Sequence, residues 1–189
     1  MTTRISFCTT CRNRLWQLKE TLPVNHNVVE AGGEIVIVDY GSDDGLSEWL
    51  WANYEESIER KQIVFFEVTN KVNWNVARAK NLAHRIASGS YVFNLDADNY
   101  ITQKEYSYIE KMALLRTPCH QFSGHWPDGS FGRIGLPKPL FDSMGGYDET
   151  LLPMGGQDGD LLRRLTSLNY SIAKLPEPEI PAVQNNMYD

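Results

Sequence analysis

Two aspartates separated by one residue carry the strongest chemical signal in the chain. Asp96 and Asp98 follow residues 89–95, a run that opens with glycine, becomes apolar and predicts a short buried strand entered from a turn. If the chain bends where this strand ends, both carboxylates face one cavity. They would then offer the oxygen ligands that hard divalent cations prefer, with coordination sites left for phosphate. A polar turn that merely closes the strand is the alternative interpretation of these residues alone.

A pair of cysteines near the start of the chain is a second candidate for chemistry. Cys8 and Cys11 lie between a predicted strand and a predicted helix, which is where a thioredoxin-like redox pair would lie. With Cys119, His120 and His125 they could instead form a zinc site. Because the chain has no second cysteine pair, we interpret Cys8 and Cys11 as buried thiols at a strand end.

The composition is typical of one globular domain. The chain has 189 residues, of which 42% are hydrophobic and 22% charged, and this is enough for one substantial core. The formal net charge of −6 argues against a nucleic-acid partner, whose binding surface needs a basic excess. No apolar run is long enough for a signal peptide or a transmembrane segment. We therefore expect a cytoplasmic enzyme.

The elements that must position the two aspartates are predicted by the first hundred residues. Apolar runs alternate there with helical patterns, as in an α/β sheet built from βαβ units. Pro23 should stop the first helix, and Ser42 or Asp43 should cap the second. We predict strands at residues 5–9, 34–38, 63–68 and 91–95, and helices at 13–22, from 46 onward and at 75–87.

The third predicted helix has an apolar stripe at helical spacing, formed by Ala79, Leu82, Ala83 and Ile86. Four polar residues fall off this stripe, namely Arg78, Lys80, Asn81 and Arg85. A solvated helix face is one interpretation of the cations Arg78 and Lys80. Binding of phosphate by the cations is the alternative.

The pattern changes after residue 98. The last predicted helix should place four leucines on one face, namely Leu161, Leu162, Leu165 and Leu168. In this part of the chain we predict helices at 103–115, 139–144 and 157–168, strands at 119–123 and 131–134 around a turn at 127–129, and an extended tail from 176.

Several polar loops should share one edge of the predicted sheet, where its parallel strands end. These loops are residues 9–12, 39–44, 71–78 and 96–98. Ligands of open α/β sheets usually bind at that edge. The sequence therefore predicts one ligand site built from these loops.

An ordered series of motifs resembles the GT-A glycosyltransferases, especially the family 2 type and the galactosyltransferase C-terminal type. The segments that carry the likeness are residues 9–14, 37–44, 75–81, 96–98, 145–149 and 155–158. The likeness extends from about residue 5 to about residue 168. It implies one GT-A domain over residues 1–189 with a mixed, mostly parallel sheet flanked by helices. Its nucleotide-binding half would be about 1–100, its acceptor-side half about 101–175, and its extended tail 176–189.

The resemblance implies a metal-assisted transfer of a sugar from a nucleotide-sugar, with a UDP-sugar expected, to an acceptor hydroxyl. Asp96 and Asp98 match the motif that holds Mn²⁺ or Mg²⁺ and the diphosphate. Asp39 matches the residue that accepts hydrogen bonds from the base, usually uracil. The donor-binding residues implied by the match are Thr9, Arg12, Asp39, Arg78, Lys80 and Asp96.

Asp158 holds the position of the family's catalytic base. A base on the side opposite the leaving group implies direct displacement and inversion at the anomeric carbon. Asp158 also stands at the predicted start of a helix, where an acidic residue can be no more than a cap. Trp74, Trp126 and Tyr147 are candidates for stacking on a sugar, although aromatic residues of this kind more often belong to a core.

The chain departs from the family pattern at a few positions. Tyr40 replaces the usual second Asp of the base-binding loop, Gln157 replaces a Glu, and no His follows His125. The missing late metal ligand leaves as candidates Gln184, Asn185, Asn186, Met187, Asp189, His120 and His125.

The acceptor and the overall activity have alternatives as well. The acceptor would be a glycan, a lipid-linked compound or a protein. It would be held by a partner subunit or a second copy of the chain, or else the site is open. A nucleotidyltransferase of similar fold and a non-catalytic nucleotide-sugar-binding module are the competing functions.

Overall fold

A mixed sheet organises the residues that the computed structural model describes, which are 3–29, 32–69, 73–124 and 128–184. Within them, the strands are β1 (Ile5–Cys11), β2 (Gly33–Asp39), β3 (Ile63–Glu67), β4 (Tyr91–Asn94), β5 (Cys119–His120), β6 (Ile134–Pro137) and β7 (Ala173–Lys174). Their order in the sheet is β3-β2-β1-β4-β6-β5-β7. Only β6 runs against its neighbours, which confirms the predicted mixed, mostly parallel sheet.

Helices cover both faces of the sheet. They are α1 (Leu15–Val29), α2 (Leu46–Glu59), α3 (Val76–Ile86), α4 (Gln103–Leu115), α5 (Lys138–Ser143) and α6 (Gln157–Ser167). Side chains alternate along each strand, so Ile35 and Ile37 face the core under α1, α2 and α4, whereas Val36 and Val38 face the core under α3, α5 and α6. None of these helices has the length and apolar character of a membrane span.

Parallel pairing brings the polar loops to one edge. β1 lies between β2 and β4 and is parallel to both, with Cys11 opposite Asp39 and Cys8 opposite Asn94. The chain segments that follow β1, β2 and β4 therefore leave the sheet on the same side. This arrangement confirms the predicted α/β fold and the predicted shared edge of those three loops. Of the fourth predicted loop, residues 70–72 lie outside the described residues.

The first helix does not stop at Pro23, and the prediction that it would was wrong. α1 continues to Val29 with Pro23 inside it. Proline in a helix interior costs about 3 kcal/mol because it removes a hydrogen bond and crowds the preceding turn. Leu22 just before the proline and Val29 at the end of the helix are both nearly fully buried. Asn25 makes two buried hydrogen bonds to the chain after β4. Tertiary packing thus stabilises the helix against its own proline.

Several smaller predictions also need correction. Neither Ser42 nor Asp43 caps α2, because Gly45 in the left-handed conformation is the N-cap and makes no side-chain hydrogen bond. Leu168 is exposed, since α6 ends one residue before it. β5 is shorter than the strand predicted at 119–123, and β6 begins three residues later than the strand predicted at 131–134. The pairing of β7 with β5 was not predicted at all. In contrast, α4 begins and ends as predicted, with a Thr102–Glu105 capping box at its start.

The cysteines are structural. Cys8, Cys11 and Cys119 are free and buried, which confirms their interpretation as buried thiols. Cys8 and Cys11 stand three residues apart on β1 and therefore face opposite layers of the core. Their sulfurs cannot form the redox pair or share the zinc site considered above. Burial raises the pKa of Cys11 to about 12 and that of Cys119 to about 11.

Candidate active site

An open cavity of about 750 Å³ lies at the edge where β1 and β4 end. The loop after β1, the turn after β4, the start of α3 and the segment that enters α6 form its walls. The residues that line it are Thr10, Arg12, Asn13, Arg14, Gln17, Trp74, Val76, Lys80, Asp96, Ala97, Asp98, Met154, Gly155, Gln157 and Asp158. Polar side chains from both halves of the chain therefore line the same cavity, although they lie far apart in the sequence.

The Asp-Ala-Asp turn is held in place by side chains of α1. The Thr21 hydroxyl donates to the Ala97 carbonyl at 2.7 Å. The Asn25 amide donates to the Asn99 carbonyl at 2.9 Å and accepts from the Ile101 amide at 2.8 Å. All of these groups are buried. The turn is thus anchored through its backbone, and its carboxylates stay at the cavity surface.

The two carboxylates of this turn have different surroundings. Asp96 is partly exposed and lies 3.6 Å from the Lys80 ammonium. Asp98 is more enclosed, and burial together with the charge of Asp96 raises the pKa of Asp98 to about 6. Asn99 and Arg14 act in the opposite direction on that pKa. Two negative charges therefore meet at the cavity wall, which suits the binding of a cation there.

Lys80 is buried, so of the two interpretations considered for this residue the solvated helix face is wrong. Its side chain is 2% exposed, and its ammonium donates to Asp158 Oδ1 at 2.8 Å. Burial alone would lower the pKa of Lys80, but Asp158 and Asp96 outweigh burial and raise this pKa. The ring of Tyr147 lies under the ammonium at 5.5 Å. Lys80 therefore joins the two acidic parts of the cavity.

Asp158 lies in the first turn of α6 and does not cap this helix. The N-cap is Gly156, and the Asp158 carboxylate accepts from Lys80 at Oδ1 and from the Gln157 amide at Oδ2, the latter at 3.3 Å. The side chain is 13% exposed and lines the cavity. The capping interpretation of Asp158 is therefore not what the structure shows.

Asn81, next to Lys80 on α3, holds the glycine-rich segment 145–149. Its amide donates to the Tyr147 carbonyl at 2.9 Å and to Glu149 at 2.8 Å, and its oxygen accepts from the Tyr147 amide at 2.8 Å. Gly146 has a φ of 73°, and a Cβ added there would overlap Asn81 Oδ1. Adjacent residues of one helix therefore fix segment 145–149 and Asp158.

Three predicted donor-binding residues do not line the cavity. Thr9 is buried and donates its hydroxyl to the Leu95 carbonyl at 2.7 Å. Arg78 is 60% exposed and pairs with Glu149 at 3.5 Å. Asp39 is buried, accepts from the Ser42 amide at 2.8 Å, and has a pKa that burial raises. Base recognition by Asp39 stays a prediction. The side chains of Thr9 and Arg78 bind other groups of the protein itself.

The cavity also contains residues that the sequence did not single out for a role. Arg14 and Gln17 line it from the start of α1, beside Arg12, and Met154 lines it from the segment before α6. Arg14 lies inside one of the motif segments, but a cation in a polar loop has no pattern that separates it from its neighbours. Trp74 lines the cavity as predicted and packs edge-on against Tyr40.

Most of the aromatic residues proposed to stack on a sugar and the residues proposed as late metal ligands do not line the cavity, or lie outside the described residues. Tyr147 is 2% exposed and packs on His84 and Phe141, so it belongs to the core. His120 bonds to the Phe131 carbonyl through Nε2 and lies outside the cavity lining. Trp126, His125 and the tail residues 185–189 lie outside the described residues. Gln184 is exposed, and the Val183 amide next to it donates to the Asp98 carbonyl at 2.8 Å.

A metal ion would find two protein ligands here. Among residues 3–29, 32–69, 73–124 and 128–184, no group of three or more His, Cys, Asp or Glu side chains converges on one point. Asp96 and Asp98 supply the hard oxygen ligands that Mg²⁺ and Mn²⁺ accept, and such ions usually complete their shell with substrate phosphates and water. The residues present therefore fit a cation that binds together with a diphosphate.

Comparison with known protein families decides which family this site belongs to. The family model described as glycosyl transferase family 2 matches residues 6–115, which is more than half of the chain. The chain belongs to glycosyl transferase family 2. The matched region contains the Asp-Ala-Asp turn and Lys80 but ends before Asp158. No curated protein matches the family 2 chain significantly.

Solved structures share the fold of the family 2 chain. The mannosyltransferase PcManGT of Pyrobaculum calidifontis, in complex with GDP-Man and Mn²⁺, has a TM-score of 0.75 at 17% identity over 97% of this chain and 57% of its own. TarS of S. aureus in complex with UDP-GlcNAc has a TM-score of 0.72 at 15% identity, over 98% and 60% respectively. At this identity the likeness establishes the GT-A fold. The family 2 chain spans less than two thirds of both solved chains.

A third solved structure extends the likeness to a galactosyltransferase. A variant of Drosophila β-1,4-galactosyltransferase 7, in complex with manganese, UDP-Gal and xylobiose, has a TM-score of 0.63 at 12% identity. It is matched over 98% of this chain and 72% of its own length. The structures of similar fold therefore include a galactosyltransferase as well as a mannosyltransferase.

Proposed function

We propose that this family 2 chain is an inverting glycosyltransferase that moves a sugar from a nucleotide-sugar, expected to be a UDP-sugar, to an acceptor hydroxyl. One observation carries the proposal. The buried ammonium of Lys80 contacts Asp96 of the Asp-Ala-Asp turn and Asp158 at the start of α6. Acidic groups for the two ends of a displacement, the leaving diphosphate and the attacking hydroxyl, therefore share one cavity.

At the donor end, Asp96 and Asp98 would hold Mn²⁺ or Mg²⁺ beside the diphosphate. Stabilisation of the departing diphosphate by a Lewis acid is the chemistry that such an ion supplies when it is held there. Arg12 and Arg14 line the same wall, where their guanidinium groups can pair with phosphate oxygens. The chain's own contribution is to concentrate positive charge where the leaving group develops negative charge.

At the acceptor end, Asp158 would take the proton from the attacking hydroxyl. An ionised carboxylate has about four lone-pair sites, and Lys80 and Gln157 each occupy one of them. The remaining sites leave room for an acceptor hydroxyl at hydrogen-bond distance. Asp158 belongs to a different element from the Asp-Ala-Asp turn, namely the first turn of α6, and we propose that attack and departure occur on opposite faces of the sugar. The product would have the inverted anomeric configuration.

The solved structures of similar fold support a nucleotide-sugar as the donor. PcManGT is in complex with GDP-Man and Mn²⁺, and TarS is in complex with UDP-GlcNAc. Both contain a nucleoside diphosphate linked to a sugar, and they differ in base and sugar. We therefore propose a nucleoside diphosphate sugar as the donor, because both complexes contain one. A comparison of UDP with GDP then tests which base the site prefers.

The first test is calorimetric titration with UDP and with GDP, each in the presence and absence of Mn²⁺. The proposal predicts binding that needs the metal and prefers UDP. Metal-dependent binding of GDP alone would transfer the proposal to a GDP-sugar donor. Failure of both nucleotides to bind would overturn it.

A second candidate function is a nucleotide-sugar-binding module without turnover. One observation favours it, namely that both oxygens of Asp158 already have hydrogen-bond partners in the protein. Binding of UDP-sugars without release of UDP over hours, in the presence of a glycan panel, would identify this function.

A further inference from the structure

Two asparagines hold the two aspartates of the Asp-Ala-Asp turn in a similar way. The Asn94 amide donates to Asp96 Oδ1 at 3.0 Å and to the Gly132 carbonyl at 2.9 Å. The Asn99 amide donates to Asp98 Oδ1 at 2.6 Å and to the Gly129 carbonyl at 3.2 Å. Each amide therefore ties one carboxylate to the segment 129–132 that precedes β6.

Both amides are buried, and the contacts of Asn99 fix the orientation of its amide. Asn94 is 0% exposed and Asn99 is 2% exposed. The Asn99 oxygen accepts from Arg133 Nη1 at 3.3 Å, so its amide nitrogen must face Asp98. Arg133 is itself buried and held by two hydrogen bonds to Gln121 Oε1, at 2.7 and 3.0 Å. A relay of buried polar groups thus determines how the Asp98 carboxylate is rotated.

The wall segment 129–132 lies close against the same groups. A Cβ added to Gly132 would lie 2.7 Å from Asp96 Oδ2 and 3.3 Å from Asn94 Nδ2. Only a residue without a side chain allows this approach. The backbone carbonyls of the segment can therefore reach both amides. The segment thus positions the Asn94 and Asn99 amides, and these amides in turn position the two carboxylates.

We propose that Asn94 and Asn99 are positioning residues that orient Asp96 and Asp98 for the cation and the diphosphate. This inference rests on the proposed function of the two aspartates. Each amide engages Oδ1 of its aspartate, so neither amide occupies the Oδ2 atom. The Oδ2 atoms are thereby left for the ligand. Partners that orient metal ligands typically change metal affinity 10- to 100-fold when they are removed.

The test compares Asn99→Ala and Asn94→Ala with a matched control, Thr21→Val. The Thr21 hydroxyl is as buried as the two amides and also bonds to this turn, but it bonds to the Ala97 carbonyl and to no carboxylate. For each variant we would measure the Kd for Mn²⁺ at saturating UDP by calorimetry, the ratio of the Mn²⁺ and Mg²⁺ affinities, and Tm. If Asn99→Ala does not fold, Asn99→Asp replaces it in the test. The aspartate places a carboxylate oxygen where the Asn99 amide nitrogen faces Asp98, so the two carboxylates repel each other.

The expected result is that either asparagine variant weakens Mn²⁺ binding by roughly 10- to 100-fold and changes the Mn²⁺/Mg²⁺ ratio. Thr21→Val should lower Tm without either change. Equal effects of all three variants on metal affinity, or a loss of Tm alone in the asparagine variants, would overturn the inference. Absence of metal-dependent UDP binding in the unmodified protein would instead overturn the proposed function.

Discussion

The two sides of the cavity are built on different principles. The side with the Asp-Ala-Asp turn, called the donor side for its proposed role, follows a central strand and is anchored by buried side chains of α1 such as Thr21 and Asn25. The other side, residues 145–158, contains the proposed base and is called the base side. It has glycines at positive φ and two exposed apolar residues, Leu152 and Met154. Sheet geometry fixes the first side. The second is held by neighbouring residues of α3, Lys80 and Asn81.

This difference locates the link between the two ends of the proposed reaction. Lys80 joins Asp158 to Asp96, and Asn81 joins segment 145–149 to α3. The base side therefore depends on a few long-range polar contacts, whereas the donor side has both a central strand of the sheet and the polar contacts of α1. Substitutions at α3 should separate the two sides, and substitutions in the glycine segment should show how tightly the base side is held.

Lys80→Met should have the largest effect. It leaves Asp158 and Asp96 without their shared cation, and removal of one partner of a buried ion pair costs about 3–5 kcal/mol. Denaturant unfolding would measure this loss. Lys104→Met is the matched control, because Lys104 pairs with Glu179 at the surface, where its side chain is 60% exposed. Equal stability of the two variants would show that Lys80 does not hold the two sides together.

Gly146→Ala tests the fit of the glycine segment to Asn81. Gly145 and Gly146 have similar φ values of 76° and 73°, so alanine at either position costs about 1–2 kcal/mol of backbone strain. Only at Gly146 would the new Cβ overlap Asn81 and Phe141, whereas nothing lies within 4 Å at Gly145. Overpacking of this kind adds about 1–3 kcal/mol. Unfolding free energies of the two variants give the comparison, and identical values would contradict the described packing.

His84, one turn after Lys80 on α3, makes the stability of this helix depend on pH. Burial lowers the pKa of His84 from 6.5 to about 3. Between these values the unfolded chain binds a proton that the folded chain does not, so the contribution of His84 to stability is complete above pH 6.5 and falls as pH decreases. The loss is about 1.4 kcal/mol per pH unit well below 6.5.

His84→Phe should remove this dependence. Its effect on the free energy of unfolding, measured at pH 7.5 and at pH 5, isolates His84 from every other titrating group. The unmodified protein should lose about 2 kcal/mol more than the variant between these pH values. A difference that does not change with pH would mean that His84 is protonated or exposed in the folded state.

The smallest effect is expected for the thiols of the donor side. Burial raises the pKa of the Cys11 thiol to about 12 and raises that of Cys8 further, so neither is a thiolate at neutral pH. Dithionitrobenzoate should react with none of the 3 cysteines of the native protein and with all of them after denaturation. Dithiothreitol should leave UDP binding unchanged. Fast labelling of Cys8 or Cys11 would revive the redox interpretation.

The sequence predicted the strands and loops of the donor side because their signals are local. Short apolar runs that alternate with helical patterns predict β1, β2 and β4. Parallel pairing then brings the loops after these strands to one edge of the sheet. Gln103–Leu115 was predicted to the residue, and the structure shows a local Thr102–Glu105 capping box at its start. These features depend on residues only a few positions apart.

The parts that could not be predicted depend on partners far away in sequence. Lys80 falls off the apolar stripe of α3, and its burial follows from Asp158, 78 residues later. Pro23 stays inside α1 because Asn25 bonds to the chain 74 and 76 residues beyond it. Arg133 gave no motif signal, although it is buried behind Asn99. Local patterns contain no information on such pairs.

The central claim is that one cavity holds a metal-dependent donor site and a separate base. Asp98→Asn and Asp158→Asn, each titrated with UDP and Mn²⁺ and then assayed for release of UDP from the UDP-sugar bound by the unmodified protein, test it most directly. We predict that Asp98→Asn abolishes metal-dependent binding, whereas Asp158→Asn binds UDP like the unmodified protein and releases none from the sugar nucleotide. Equal loss of UDP binding in both variants would contradict the account.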